Sequence, residues 1–357
     1  MPPAQNWISS FRLAGIPGLV ILFTCLAQAT WHPDSAGTAT HPSYYVEGKV
    51  AEPRIFAEGI ISTTNDEAGG TFSPDGTEFY FTRLVPYTTL PRLGILCVSY
   101  YRDAQWSAPA VLPFSGEYTD FPPKFSPDGK RIFFASSRPL PNGARGGLRI
   151  WEVERTSSGW GVPSPLPPPI NVSGSFWNAD PSVSDDGTLY FSSDRGGPGS
   201  LHIYRSRLLE GKYTEPEKLG PEVNSEFNDY QPYISSDGKI LIFSSVGSEV
   251  PPFGHRPGEL RTGGKPYPRG DLYISFYRNE KWTPAQHLGH GINTSAEEQF
   301  PVLTPDGKYL FFSSERSLFT VPTAHRLNHR ELESQLHSIY NGHGNIFFIS
   351  VEALGVR

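Results

Sequence analysis

One segment recurs five times along this chain, and a unit that repeats in this way buries its apolar surface only against its neighbours. Phe72-Ser73-Pro74-Asp75-Gly76-Thr77-Glu78-Phe79-Tyr80-Phe81 returns as Phe125-Ser126-Pro127-Asp128-Gly129-Lys130-Arg131-Ile132-Phe133-Phe134. Shorter copies follow as Val183-Ser184-Asp185-Asp186-Gly187, Ile234-Ser235-Ser236-Asp237-Gly238 and Leu303-Thr304-Pro305-Asp306-Gly307. The glycines are separated by 53, 58, 51 and 69 residues. Each copy reads as a tight hairpin. Proline presets a turn φ, aspartate bonds nearby backbone N–H groups, and glycine supplies a positive φ. Apolar runs on both sides supply two buried strands.

Two further strands complete the unit. A third alternating run follows a variable loop, as in Leu148-Arg149-Ile150-Trp151-Glu152-Val153 or Asp271-Leu272-Tyr273-Ile274-Ser275-Phe276. A polar turn then leads to Trp106, Trp160, Tyr213 or Trp282, with Pro109, Pro163, Pro216 or Pro284 just beyond. Proline there suits an outer edge strand, where a missing N–H costs no ladder bond. Val111-Leu112, Leu166, Leu219 and Leu288 mark that fourth strand. Four antiparallel strands repeated radially make a propeller blade. Pro53-Arg54-Ile55-Phe56 matches a fourth strand with no blade before it, and Ile346-Phe347-Phe348-Ile349-Ser350 a third strand with none after it. Pairing the two completes a fifth blade and leaves no bare sheet edge. The expected fold is an all-β, five-bladed β-propeller closed by its N- and C-terminal strands, with one short helical insertion. Six blades is the alternative, if residues 38–50 hide a degenerate strand.

Ser126-Pro127-Asp128-Gly129, followed by an aromatic strand and Ser136-Ser137-Arg138, resembles the TolB-type, WD40-like propeller repeat. The resemblance covers about residues 50–354. It implies an exported or periplasmic binding and assembly module. One copy departs from the pattern, since Ser244-Ser245 runs into Val246 where arginine is expected.

Composition agrees with an all-β chain: 36 Gly, 35 Pro, one Met and 13% aromatic residues in 357. A formal charge of −6 argues against nucleic acid as a partner. Arg12, the apolar run Leu13–Ala27 and Ala27-Gln28-Ala29 read as an export signal with a small-x-small cleavage site. Residues 1–29 are therefore expected as a signal peptide, 30–49 as a disordered linker and 50–357 as the propeller, periplasmic or secreted and monomeric. Membrane contact would come only through an uncleaved N-terminus, or one lipidated at Cys25. Cys97 lies in an apolar run and is expected to pack rather than react.

Antiparallel connectivity puts the short hairpin turns on one face of the disc and the long, variable connections on the other. Function concentrates on variable loops held by a rigid scaffold. Residues 246–270, with His255, Arg256, Arg261, Lys265 and Arg269, and residues 317–343, with a helix expected near Asn328 to Tyr340, belong to the long-loop face. The stripe Leu332, Leu336, Tyr340 is expected to dock that helix on the propeller. Nine residues before each repeat glycine stand Glu67, Asp120, Asn178, Asp229 and Glu298, with Arg83, Arg138, Arg195 and Arg316 leaving the second strands on the same side. These side chains are the candidate binding ring at the channel mouth. Either they pin the loops by pairing, or they bind a cation, or a basic or polyhydroxy ligand. No cofactor is expected beyond a structural cation there. The expected function is a protein- or glycan-binding module acting through its long-loop face. The alternative is a glycoside hydrolase-like enzyme, which would need two of these carboxylates about 5–10 Å apart. His325 with His329 and His287 with His290 read as surface pairs rather than metal ligands, and Asn171-Val172-Ser173 and Asn293-Thr294-Ser295 match glycosylation sequons.

Overall fold

The computed structural model describes residues 42–356, except 86–91, 173–176, 198–199, 247–269, 290, 320–322 and 324. The expected signal segment and the basic loop with His255, Arg256, Arg261, Lys265 and Arg269 lie outside the described residues. Among the described residues no helix is long and apolar enough to cross a membrane.

Each repeat turn is built from its own residues. In the first copy the Ser73 hydroxyl donates to Asp75 (2.5 Å), the Thr77 N–H donates to the same carboxylate (3.0 Å), and Gly76 N–H closes on the Ser73 carbonyl (2.8 Å). Gly76 has φ +71°, and the four equivalent glycines have φ between +69° and +80°. The same hydroxyl–carboxylate bond links Ser126 to Asp128, Ser184 to Asp186, Ser235 to Asp237 and Thr304 to Asp306. A threonine at the first place and an aspartate at the second therefore keep the turn intact.

Those hairpins lead five inner strands, Asp66–Phe72, Asp120–Phe125, Asn178–Val183, Asn228–Ile234 and Glu298–Leu303. Each packs beside the next, and the fifth packs beside the first. Every inner strand pairs antiparallel with a second strand, which pairs with a third. The fourth strand is two residues long in every blade. Proline interrupts it, and a buried leucine anchors its end: Leu112, Leu166, Leu219 and Leu288 donate to Leu96, Ile150, Ile203 and Leu272 of the third strands.

The fifth blade takes its outer strand from the other end of the chain. Arg54–Ile55 pairs antiparallel with Asn345–Ser350, with Arg54 opposite Phe348 and Ile55 opposite Phe347. Phe56 N–H donates to the Ile346 carbonyl (2.9 Å). The propeller has five blades, and the six-bladed alternative is excluded. The closing seam is aromatic: the Phe56 ring lies 4.9 Å from Phe311 and 5.1 Å from Phe79, and Phe72 lies 5.0 Å from Phe311.

The expected linker ends earlier than residue 49. Tyr44 is buried with its ring 5.0 Å from Phe72, Tyr309 Oη donates to the Val46 carbonyl, and Val50 exchanges two hydrogen bonds with Ser350. Tyr44 and Val50 are the apolar residues that bring this segment onto the seam.

Candidate ligand-binding site

The two ends of the propeller axis differ. At the long-loop end lie the five side chains nine residues before each repeat glycine, and all five are buried. Glu67 accepts from Thr63 N–H (3.0 Å), Thr63 Oγ1 (2.7 Å) and Arg83 (3.0 Å). Asp120 accepts from Ser115 (2.7 Å) and, through both oxygens, from Arg138 (3.0 and 3.1 Å). Asn178 Oδ1 accepts from Ser193 (2.8 Å) and Arg195 (3.1 Å). Asp229 accepts from Ser225 N–H and Oγ (2.6 and 2.8 Å) and from Ser245 (2.6 Å). Glu298 accepts from Thr294 N–H and Oγ1 (2.9 and 2.7 Å) and from Ser314 (2.8 Å), with Arg316 Nε at 3.7 Å.

Burial lifts the carboxyl pKa of Glu67, Asp120, Asp229 and Glu298, while hydroxyl, amide and guanidinium partners pull it back. In the fourth blade, which has no arginine at this place, Asp229 keeps the hydroxyl and amide donors that Glu298 also has. His202 stands 3.9 Å from Asp229, but burial lowers its pKa to about 4, so it is neutral near pH 7 and not a counter-ion.

The arginines complete the pin. Arg138, Arg195 and Arg316 donate to the Phe114, Ile170 and Ile292 carbonyls of the incoming loops (3.0, 2.7 and 2.6 Å). They also lie over Trp151, Phe191 and Phe347 at 5.3, 4.9 and 4.9 Å. In the structure these residues bond within their own blades, and each acid receives donors from the loop that precedes it. Among the described residues no cluster of three or more His, Cys, Asp or Glu could hold a metal.

The asparagines of the two sequons are structural as well. Asn171 and Asn293 are buried. Each carboxamide bonds both polar groups of one third-strand residue, Ile150 and Leu272 respectively, and Asn224 does the same to Ile203. Cys97 is buried and its thiol pKa is raised by that burial, in agreement with a packing role.

Across the long-loop face lies the insertion of the fifth blade. Its helix, His329–Leu336, starts in a capping box: Asn328 Oδ1 accepts from Glu331 N–H, and Glu331 accepts from Asn328 N–H (both 3.0 Å). No helix residue is buried. Leu332 and Leu336 are 37% and 47% exposed, and Leu318 of the same insertion is 54% exposed. The stripe expected to dock the helix therefore faces solvent at two of its three places. Only Tyr340, past the helix, packs on the blade, 6.2 Å from the Phe347 ring.

The opposite end of the axis carries what the repeat alignment passed over. Each inner strand breaks register once, and Gly69, Asp180, Gln231 and Phe300 occupy those breaks at φ +52° to +55°. In the first strand a β-carbon at residue 69 would come within 2.6 Å of Pro122. Two residues further along each strand toward the short turns stand Thr71, Lys124, Ser182, Tyr233 and Val302, one from each blade. Together they line a cavity of ≈ 240 Å³ rimmed by turn residues such as Pro74, Pro127 and Pro305. The signal available in the sequence was a fixed place, five before each glycine, that holds five different side chains, one of them charged.

No family model matches the chain, and no curated protein matches it. Among solved structures it is similar to TolB from Acinetobacter baumannii, at 14% identity and TM-score 0.41, covering 81% of this chain and 55% of that one. This chain thus spans about half the length of that TolB. It is also similar to the GH43 endo-arabinanase from Bacillus licheniformis (11% identity, 82% of this chain, 96% of that one, TM-score 0.47). A third is the phage phi92 endosialidase (10%, 84%, 69%, TM-score 0.44). At these identities the likeness is one of fold.

Proposed function

We propose that this chain is an exported, TolB-like binding module that engages a partner protein through its long-loop face, and that it is not a hydrolase. The observation that carries the reading is the combination of buried, loop-bonded acids with exposed leucines at that face. A glycosidase needs one carboxyl able to donate and another free to attack or to activate water. Glu67, Asp120, Asp229 and Glu298 are all buried, and each is engaged by its own loop. Leu318, Leu332 and Leu336 are large apolar side chains left in water on one insertion. Exposed apolar surface of this kind favours a protein partner over a sugar polymer.

The test is affinity capture by the mature chain from an extract of the producing cells, compared with a Leu332→Glu, Leu336→Glu double variant of unchanged melting temperature. Partner recovery is expected to fall by about tenfold or more, as when central interface anchors are replaced. Equal recovery by both proteins would remove the helix from the interface. Hydrolysis of a glycan panel that Asp120→Asn abolishes without unfolding would restore the enzyme reading.

A further inference from the structure

We propose that the axial cavity on the short-turn face is a binding site for a small monoanionic carboxylate with a compact apolar body, held by Lys124. This site lies at the other end of the axis from the proposed partner surface and does not depend on it.

Lys124 is 6% exposed and lines the cavity. It springs from the second blade, and its ammonium reaches the Pro301 carbonyl of the fifth (3.1 Å), with the Tyr233 ring of the fourth at 5.7 Å. One carbonyl satisfies one of its three N–H donors. No carboxylate lies within ion-pair distance among the described residues, so a buried cation is left with donors to spare. Burying a charge is costly unless it is paired and hydrogen-bonded. A ligand carboxylate would supply both the charge and the missing acceptors.

The surroundings select among anions. Thr71 makes no side-chain hydrogen bond among the described residues. Ser182 Oγ accepts from Ile234 N–H (3.0 Å), which leaves its own proton to donate. Phe72, Phe125, Val302 and Leu303 supply apolar wall. The volume lies just below the ~300–1,000 Å³ of drug-sized sites, so the ligand is small.

Among the inner-strand side chains facing Lys124, only Asp180 carries charge, and it is buried as well. A second negative charge on the ligand would meet that acid with no second cation, which disfavours phosphate. Burial lowers the Lys124 pKa to about 7 and raises that of Asp180 to about 6; burial also raises the Tyr233 phenol, keeping it neutral. Below both values the lysine is charged and the aspartate neutral, so binding is tightest there and weakens as the lysine loses its proton.

The experiment is isothermal titration of benzoate into the protein, in a buffer free of carboxylates and phosphate. Benzamide serves as the neutral isostere and inorganic phosphate as the polyanion. At about pH 6 benzoate is expected to bind in the millimolar range or tighter, with benzamide and phosphate weaker by about tenfold. Affinity for benzoate is expected to fall by about tenfold between roughly pH 6 and pH 8.5. Lys124→Met should lose about tenfold in benzoate affinity while melting no lower than the parent, since replacing a buried charge by an apolar chain of similar volume does not weaken a fold. A lysine that only braced the blades would give a lower melting temperature instead. Absence of benzoate binding, equal binding of benzamide, tighter binding of phosphate, or an affinity untouched by Lys124→Met would each overturn the assignment. If Lys124→Met does not fold, the pH series on the parent and Thr71→Val decide. An affinity unchanged both by pH and by Thr71→Val then overturns it.

Discussion

Asn178 is where the five-fold pattern of anchors is weakest. Its Oδ1 serves Ser193 and Arg195, but its Nδ2 is buried with no partner among the described residues. The second blade solves the same geometry with Asp120, whose two oxygens both meet Arg138. An unpaired buried donor costs about 1–3 kcal/mol, and a carboxylate there would convert it into a second acceptor beside a guanidinium. Asn178→Asp is therefore expected to raise stability by about 1 kcal/mol at neutral pH. Urea unfolding measures it, and a lower midpoint would show that burying the new charge outweighs the pair. The serine dipeptides divide their labour at this scale as well. Ser193, Ser245 and Ser314 hold the acid or amide of their own blade, while Ser192 and Ser313 accept from the bulged backbone N–H of Gln231 and Gly69 in the next.

Each blade's third strand is held by the connection that leaves the blade as well as by its short outer strand. In the connection from the third blade to the fourth, Asn224 spans the gap. Its oxygen takes the Ile203 N–H (2.8 Å), and its nitrogen serves the Ile203 and Leu219 carbonyls (2.9 and 2.8 Å). A buried side chain thus does what another strand residue would do. Asn224→Ala would remove the partner of the Ile203 N–H and of the Leu219 carbonyl, while the Ile203 carbonyl keeps the Leu219 N–H, and is expected to cost on the order of 2 kcal/mol, read by urea or thermal unfolding. A loss below about 0.5 kcal/mol would mean that water replaces the amide. Ser62 plays the same part in the fifth blade, with its hydroxyl on the Ile346 N–H and carbonyl. The helical insertion contrasts with these clamps. It is capped at its N-terminus and bound to the blade through Tyr340, but its leucines add nothing to the core.

At the scale of the whole ring, the seam between the first and fifth blades carries the closure. Phe56 touches Phe72, Phe79, Trp106, Phe311 and Phe348. Phe56→Ala is expected to cost about 3–5 kcal/mol and to expose the outer strand of that blade to proteolysis between residues 50 and 60. Unchanged melting and protease resistance would show that the ring stays shut without it. The architecture was legible in the sequence because turn chemistry is local: Ser, Asp and Gly at fixed offsets dictate a hairpin before any tertiary contact exists. Closure was legible too, since Pro53–Phe56 and Ile346–Ser350 are incomplete halves of one pattern. Two things were not. Glu67 and its equivalents were placed correctly along the chain, yet whether a carboxylate faces water or its own loop depends on Thr63, Ser225 and Thr294, whose direction no spacing reveals. Lys124 was hidden for the opposite reason. It follows Pro122-Pro123 in what reads as an ordinary half-buried strand, and only the convergence of five blades turns that place into the floor of a cavity.

The pairing of Arg54–Ile55 with Asn345–Ser350 has a consequence in time. The two halves of that latch lie far apart along the polypeptide, so the circle cannot snap shut until Asn345–Ser350 has been made. Until then, chaperones and proteases meet an open arc with an uncovered aromatic rim, and the arrival of Asn345–Ser350 decides when that vulnerability ends.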